Sequence, residues 1–389
     1  MSLVPKFIPS LICSVLLLAA TELSVFGSVS AVESSPTTIR GGYWLSWLTQ
    51  TFPPAAISTS HFTHLFYAFL EPNNVTFELT VTPNDDQWMR NFTSTIHAAD
   101  PQIKTFLSIG GGGSSVPIFA AMAANQTFRS AFIASAISAA RSYGFDGLDL
   151  DWEFPDSTDD MSHLSSLFKE WRQAIETESS SNADRPPLEL SAAVSYASSF
   201  PSPPRSYPPD AITKYVDFIS PMCFDYFGKW SPSATGSHAQ LFDKTSNFST
   251  SYGITSWIEA GVPPEKLVMG LPVYGRTWQL KDACHHGIGA PAEGVGPGNE
   301  GVMIYSDVLD FNSANGATEV FDTTSVSTYS FAGTTWIGYD GPSSIDVKVK
   351  YAKAHGLRGY FFWALGYDKN WAIAEAGIFF FYFIYLPKL

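Results

Sequence analysis

A chain of 389 residues that is 45% hydrophobic and 15% aromatic is long enough for one barrel-sized unit with an insertion, and this composition excludes a disordered polypeptide. Its formal charge of −14 argues against nucleic acid as a partner and leaves a neutral polymer compatible.

From the N-terminus, residues 1–31 read as a secretory signal peptide. Lys6 precedes an apolar run over 11–20, and the small residues Val29-Ser30-Ala31 fit a cleavage site. Pro9 and interspersed polar residues argue against a membrane anchor, so no membrane span is expected there. Secretion to the extracellular space or apoplast, with the vacuole as a further destination, gives meaning to four N-x-S/T sequons at Asn74, Asn91, Asn125 and Asn247. Of the three cysteines, Cys13 lies in the leader. Cys223 and Cys284 do not make a disulfide framework, and their pairing stays open. His285 and His286 follow Cys284 without a further ligand cluster, so no metal site is expected.

Eight β-prone runs follow, at 39–47, 62–70, 104–112, 145–153, 188–196, 216–228, 266–278 and 357–368. Segments 84–100, 116–143, 157–180 and 343–355 read as helices. The third opens on Ser157-x-x-Asp160, a capping-box pattern with Asp in place of Glu or Gln. Connections after the first and fifth runs are Pro-rich, with little helical pattern. Alternation of this kind predicts parallel strands with crossover helices, and eight units predict an α/β fold, the (β/α)8 TIM barrel, with its site at the strand C-terminal ends. The barrel is assigned to 32–278 and 341–376. Residues 279–340, rich in Gly, Thr and Ser, read as a small α+β insertion between strand 7 and helix 7. Residues 377–389 form an atypical apolar tail, and the run 378–386 is too short for a bilayer, which needs about 20 residues.

The fourth run, Phe145-Asp-Gly-Leu-Asp-Leu-Asp-Trp-Glu153, carries the chemistry. At period two, Asp149, Asp151 and Glu153 share one strand face and Leu148, Leu150 and Trp152 the other. Unpaired buried charge is expensive, and crowded carboxyls cannot all ionise, so at least one stays protonated near neutrality. A salt-bridged strand or a calcium site is the competing reading; acid–base work accounts better for the row. This run resembles the D-x-x-D-x-D-x-E signature of family 18 glycoside hydrolases, with Asp146, Asp149, Asp151 and Glu153 in its acidic positions. From about residue 39 to 374 the chain is similar to plant class V chitinases.

Three further patches carry the resemblance. Ser108-Ile109-Gly110-Gly111 ends strand three, where glycines let a backbone approach a ligand. Met222-Cys223-Phe224-Asp225 ends strand six, and Tyr360-Phe-Phe-Trp363 lies in strand eight. The resemblance implies hydrolysis of chitin, chitooligosaccharides or lipo-chitooligosaccharides by a substrate-assisted, retaining and endo-acting monomer that needs no cofactor. In that scheme Glu153 is the general acid and base, Asp151 holds the substrate acetamide and Asp149 sets the protonation of Asp151. Trp363 forms the sugar platform. Tyr43, Gly110, Gly111, Met222, Asp225, Tyr226 and Tyr274 are expected to bind substrate. One departure stands out: the family's Tyr at strand six is Phe224 here, and Tyr226 could replace its hydroxyl only if the strand end bends. A chitinase-like lectin that binds N-acetylglucosamine oligomers is the alternative.

Overall fold

Each of the eight runs holds a strand, and all but the second, which is displaced by two residues, are longer than the strand they hold. In the computed structural model, which describes residues 38–181 and 185–378, they are β1 (Ile39–Leu45), β2 (His64–Pro72), β3 (Lys104–Gly110), β4 (Gly147–Asp151), β5 (Glu189–Ser195), β6 (Phe218–Met222), β7 (Val268–Pro272) and β8 (Gly359–Trp363). The expected leader and all of the apolar tail beyond residue 378 lie outside the described residues. The strands pair in parallel in the order β7-β8-β1-β2-β3-β4-β5-β6, and a parallel bridge between Ile219 and Leu267 closes the ring. This is a (β/α)8 barrel, and its strand C-terminal ends form one rim.

Helix α1 (Pro83–Ala99) starts at a capping box in which Thr82 and Asp85 satisfy each other's backbone N–H groups. The single helix expected over 116–143 is two, α2 (Val116–Ala124) and α3 (Gln126–Tyr143). Between them Asn125 leaves helical geometry, and its side chain caps α3 by accepting from the Thr127 and Phe128 amides. Helix α4 (Thr158–Ser180) begins as expected, with Ser157 and Asp160 forming the reciprocal cap. The Pro-rich link after β1 holds only three 3-10 turns, and the one after β5 holds the seven-residue α5 (Pro209–Tyr215). Helix α6 (Thr250–Glu259) was not anticipated.

The run expected to be strand seven divides. Residues 268–272 stay in the barrel, and Tyr274–Leu280 crosses into a second, antiparallel sheet with strands Ala292–Val295, Val302–Ile304, Thr318–Asp322, Ser327–Ala332 and Thr335–Tyr339. Helix α7 (Tyr305–Asn315) lies within this excursion, and the chain rejoins the barrel through α8 (Pro342–Ala354). The α+β insertion therefore starts near residue 274, five positions earlier than the Gly- and Thr-rich composition indicates.

Side chains on the inner strand faces, among them Tyr43, Phe66, Phe106, Phe218 and Phe361, fill the barrel, and the outward faces pack on the helices. Behind the rim, Lys348 on α8 is buried against Asp340, 2.5 Å away, and also donates to the Ala239 carbonyl. This joins the end of the insertion to the loop after β6. Lys348→Met should lower stability by about 3–5 kcal/mol, because Asp340 would keep a buried charge without a partner. Urea unfolding measures this, and an unchanged midpoint would show that the pair is dispensable.

Candidate active site

Strand β4 enters the barrel wall between β3 and β5, and the register pairs Asp149 with Ser108 on one side and Ser191 on the other. Both serine hydroxyls donate to Asp149 at 2.7 Å, and Tyr43 on β1 donates from across the barrel at 2.9 Å. Asp149 is fully buried; burial pushes its carboxyl up, and the three hydroxyls oppose that push. One step toward the rim, Asp151 is also buried, and it shares a hydrogen bond with Glu153. Burial, followed by the charges of Glu153 and Asp149, raises Asp151 well above the usual carboxylate range. Its Oδ1 is buried without a hydrogen-bond partner among the described residues. The strand ends at Asp151, so half-buried Glu153 projects from the first residues of the following loop. Burial and the nearby Asp225 push Glu153 up to about 7, against the lowering effect of its bond to Asp151.

Asp146, the first acid of the signature, is elsewhere. It lies before β4 at the opposite barrel end, where it meets His97 at 3.0 Å and accepts from the Thr105 amide and hydroxyl. It is a structural residue.

Trp363 ends β8 half-buried, with its ring stacked on Phe69 at 5.6 Å and tilted against Tyr43 at 5.5 Å. Met222 ends β6 and faces the same space. Asp225 follows at a positive φ of 61°, a turn that aims its carboxylate at Arg276. The guanidinium contacts Asp225 at 2.7 Å and 2.9 Å, and His238 Nδ1 lies 3.5 Å away. Burial pushes Asp225 up, but His238 and Arg276 outweigh it and hold the carboxylate below its usual range. Tyr274, on the first insertion strand, also hydrogen-bonds Asp225.

Three expectations need correction. Tyr226 is buried with its hydroxyl on Thr250 at 3.1 Å and its ring against Tyr196, so it does not supply the hydroxyl that Phe224 lacks. Gly110 and Gly111 do not border the cavity. Their positive φ angles let β3 close against the Asp151 carbonyl and Phe69, where a Cβ would come within 2.0 Å and 2.4 Å respectively. Gly112 takes the expected place, since a Cβ there would lie 3.2 Å from Glu153 Oε1. Tyr43 does edge the cavity, but its hydroxyl is committed to Asp149. Ser191, His238 and Arg276 were not anticipated. Ser191 could have been found from its place on the inner face of β5; the other two approach only through the loop after β6 and the insertion.

Glu153, Met222, Phe224 and Asp225 form the boundary between two cavities. One, of about 180 Å3, is bounded by Asp151, Trp363, Tyr43, Gly112 and Tyr274. The other, of about 330 Å3, is walled by Phe154, Tyr196, Phe200, Pro201 and Phe248. A partly protonated carboxyl between an aromatic platform and an open cavity is equipped to give a proton to an ether-type oxygen.

The chain was compared with known proteins. Residues 40–368 match the family model for glycosyl hydrolases family 18. The chain is 45% identical over 365 residues to a class V chitinase of Medicago truncatula, covering 91% of this chain and 94% of that protein. Its structure resembles that of a mutant class V chitinase from Nicotiana tobaccum in complex with NAG4, with a TM-score of 0.84 and 41% identity over 88% of this chain and 98% of that one. It also resembles a chitinase-like agglutinin from Robinia pseudoacacia, with a TM-score of 0.81 and 42% identity over 87% and 98% of the two chains.

The raised Glu153 carboxyl has a consequence for stability. Between the ordinary carboxyl range and about 7 the native state holds a proton that the unfolded chain releases, so stability falls as pH rises through that window. Glu153→Gln removes this loss. The variant should melt higher than wild type at pH 8 and match it by pH 4, as read by thermal unfolding; parallel pH profiles for the two proteins would refute the shift.

Proposed function

The chain belongs to family 18 of the glycosyl hydrolases, and from that premise we propose that it is a secreted chitinase that hydrolyses β-1,4 bonds between N-acetylglucosamine units with Glu153 as its proton donor. Extracellular or vacuolar delivery and endo action belong to the same reading. One observation supports it above others. Asp151 lines the Trp363 cavity with one buried carboxyl oxygen unpartnered among the described residues, beside a Glu153 pushed up to about 7, which suits a substrate acetamide N–H next to a scissile bond.

A sugar ring has apolar C–H faces, so the reacting unit stacks on Trp363 with its acetamide toward Asp151. Glu153 gives its proton to the glycosidic oxygen as the C1–O bond breaks, and the acetamide oxygen closes on C1. The resulting oxazolinium ion carries positive charge beside Asp151. Water then attacks C1, the acetamide bond to C1 opens, and Glu153 takes the water proton. Both displacements invert C1, so configuration is retained. The substrate supplies the nucleophile, which sets this scheme apart from hydrolases that form a covalent bond to a second carboxylate. Asp149, held by three hydroxyls, helps set the protonation of Asp151.

Glu153→Gln should abolish hydrolysis of the N-acetylglucosamine hexamer and keep oligosaccharide binding, with β-anomeric products from wild type alone. Binding without cleavage by both proteins would establish the lectin reading, to which the resemblance to the Robinia agglutinin and the Phe224 departure point.

Phe224 lines both cavities without a hydroxyl to offer the acetamide oxygen, and Tyr226 is turned away to Thr250. One preorganised donor is worth on the order of 10²–10³ in rate. Phe224→Tyr should therefore raise kcat on the hexamer, up to about that factor; an unchanged kcat would show that the missing hydroxyl does not limit turnover.

A further inference from the structure

We propose that a cavity at the N-terminal end of the barrel binds a phosphate group, either the free ion or the monoester of a sugar. The cavity has a volume of about 440 Å3 and is built from the starts of the strands, so it lies at the opposite end of the barrel from Glu153. Arg40 is on β1, His64 and Lys104 open β2 and β3, Glu189 opens β5, and Arg358 immediately precedes β8.

The charge at this end runs against that of the whole chain. In a protein of formal charge −14, three cations, Arg40, Lys104 and Arg358, border one space. Parallel register brings them there, because His64 pairs with Lys104 on one side and with Gly41, next to Arg40, on the other. His64 is only 6% exposed. Burial, followed by the charges of Arg358 and Lys104, holds its imidazole down at about 3, so the ring is neutral. The Thr63 hydroxyl accepts from the Arg40 amide at 2.9 Å and meets His64 Nδ1 at 2.8 Å, whereas the Arg40 carbonyl is 3.5 Å away. The hydroxyl proton therefore goes to Nδ1, and the ring carries its own proton on Nε2, as a donor for a ligand.

The cations keep capacity for an anion. Lys104 Nζ is 3.8 Å from Asp146, too far for a hydrogen bond, and Asp146 is already satisfied by His97 and Thr105. Arg358 gives one N–H to the Asp217 carbonyl at 3.1 Å, but its Nε is buried without a partner among the described residues. A buried donor left unsatisfied costs about 1–3 kcal/mol, which an acceptor oxygen from a ligand would recover. The two acids that line the cavity do not cancel this charge. Asp100 spends one oxygen on the Gln102 amide at 2.9 Å. Burial and then the Asp217 charge push the Glu189 carboxyl up, even against Arg358 and Lys104.

A phosphate group suits this donor set, because its oxygens accept from guanidinium, ammonium and imidazole N–H groups together. The cavity falls within the range of about 300–1,000 Å3 usual for small-molecule sites, which leaves room for a hydroxyl-bearing remainder beside Gln102 and Glu189.

The test is a 31P NMR titration of the whole protein with inorganic phosphate and with glucose 6-phosphate, at constant ionic strength. Wild type should bind one equivalent of at least one of them. Tighter binding of glucose 6-phosphate identifies the monoester as the ligand, and tighter binding of phosphate identifies the free ion. Lys104→Gln, at a partly exposed side chain that the fold tolerates losing, should weaken binding by about tenfold. Arg358→Lys, which keeps the charge and removes Nε, should weaken it by a similar factor, and Lys169→Gln on the exposed side of α4 should leave it unchanged. No binding of either probe by wild type, or binding that neither Lys104→Gln nor Arg358→Lys weakens, overturns the proposal.

Discussion

Carboxyl groups placed in series from the barrel interior to its rim set the terms for everything else in this protein. An unpaired charge in an apolar interior costs several kcal/mol, so each acid must be matched by donors, by a cation or by a proton. The three solutions are used at three places. Asp149 has hydroxyl donors from Tyr43, Ser108 and Ser191. Asp225 has the cation Arg276, reinforced by His238. Asp151 and Glu153 have no cation and no such set of hydroxyls; they share a hydrogen bond with each other, and burial pushes both carboxyls up toward protonation. Negative charge on Asp149 favours the proton on Asp151, and the ionised Asp225 favours the proton on Glu153.

Much of this was legible in the chain. Period-two alternation identified the face that Asp149 and Asp151 share, because a β-strand offers no other way to place them. It overreached by two residues, since β4 stops at Asp151 and Glu153 joins its neighbours from a loop. Alternation also says nothing about depth along a strand. Asp146 belongs to the same signature but has the opposite parity, and it lies at the far side of the barrel with His97. Tyr226 failed for a related reason: β6 ends at Met222, and the positive-φ turn at Asp225 breaks the face relation that equal parity implies. Gly110 and Gly111 were read as places where the backbone approaches a ligand, but what approaches them is the Asp151 backbone and Phe69. Helix periodicity could not show the break at Asn125, where a polar side chain competes for the backbone of a pattern that is apolar on both sides.

The cavity walls were the least legible part. Phe154, Phe200 and Phe248 come from three segments apart in sequence, and an isolated Phe reads as core in any of them. Their grouping depends on the loops after β4, β5 and β6, and no local pattern specifies those loops.

The insertion takes part in the chemistry for the same reason. Tyr274 and Arg276 lie on a strand that leaves the barrel at once, and its turn away from β7 is what carries their side chains to Asp225. Without Arg276, Asp225 would face Glu153 as a third unmatched acid, and a proton could settle on any of them. With it, Asp225 is held ionised, and the acid available for proton transfer is Glu153, which borders both cavities. The buried Lys348–Asp340 pair at the end of the excursion contributes from behind, because Lys348 also binds the Ala239 carbonyl next to His238. Selection of the proton donor is therefore distributed. Strand β4 and the loops after β4 and β6 supply the candidates, and the second sheet decides between them.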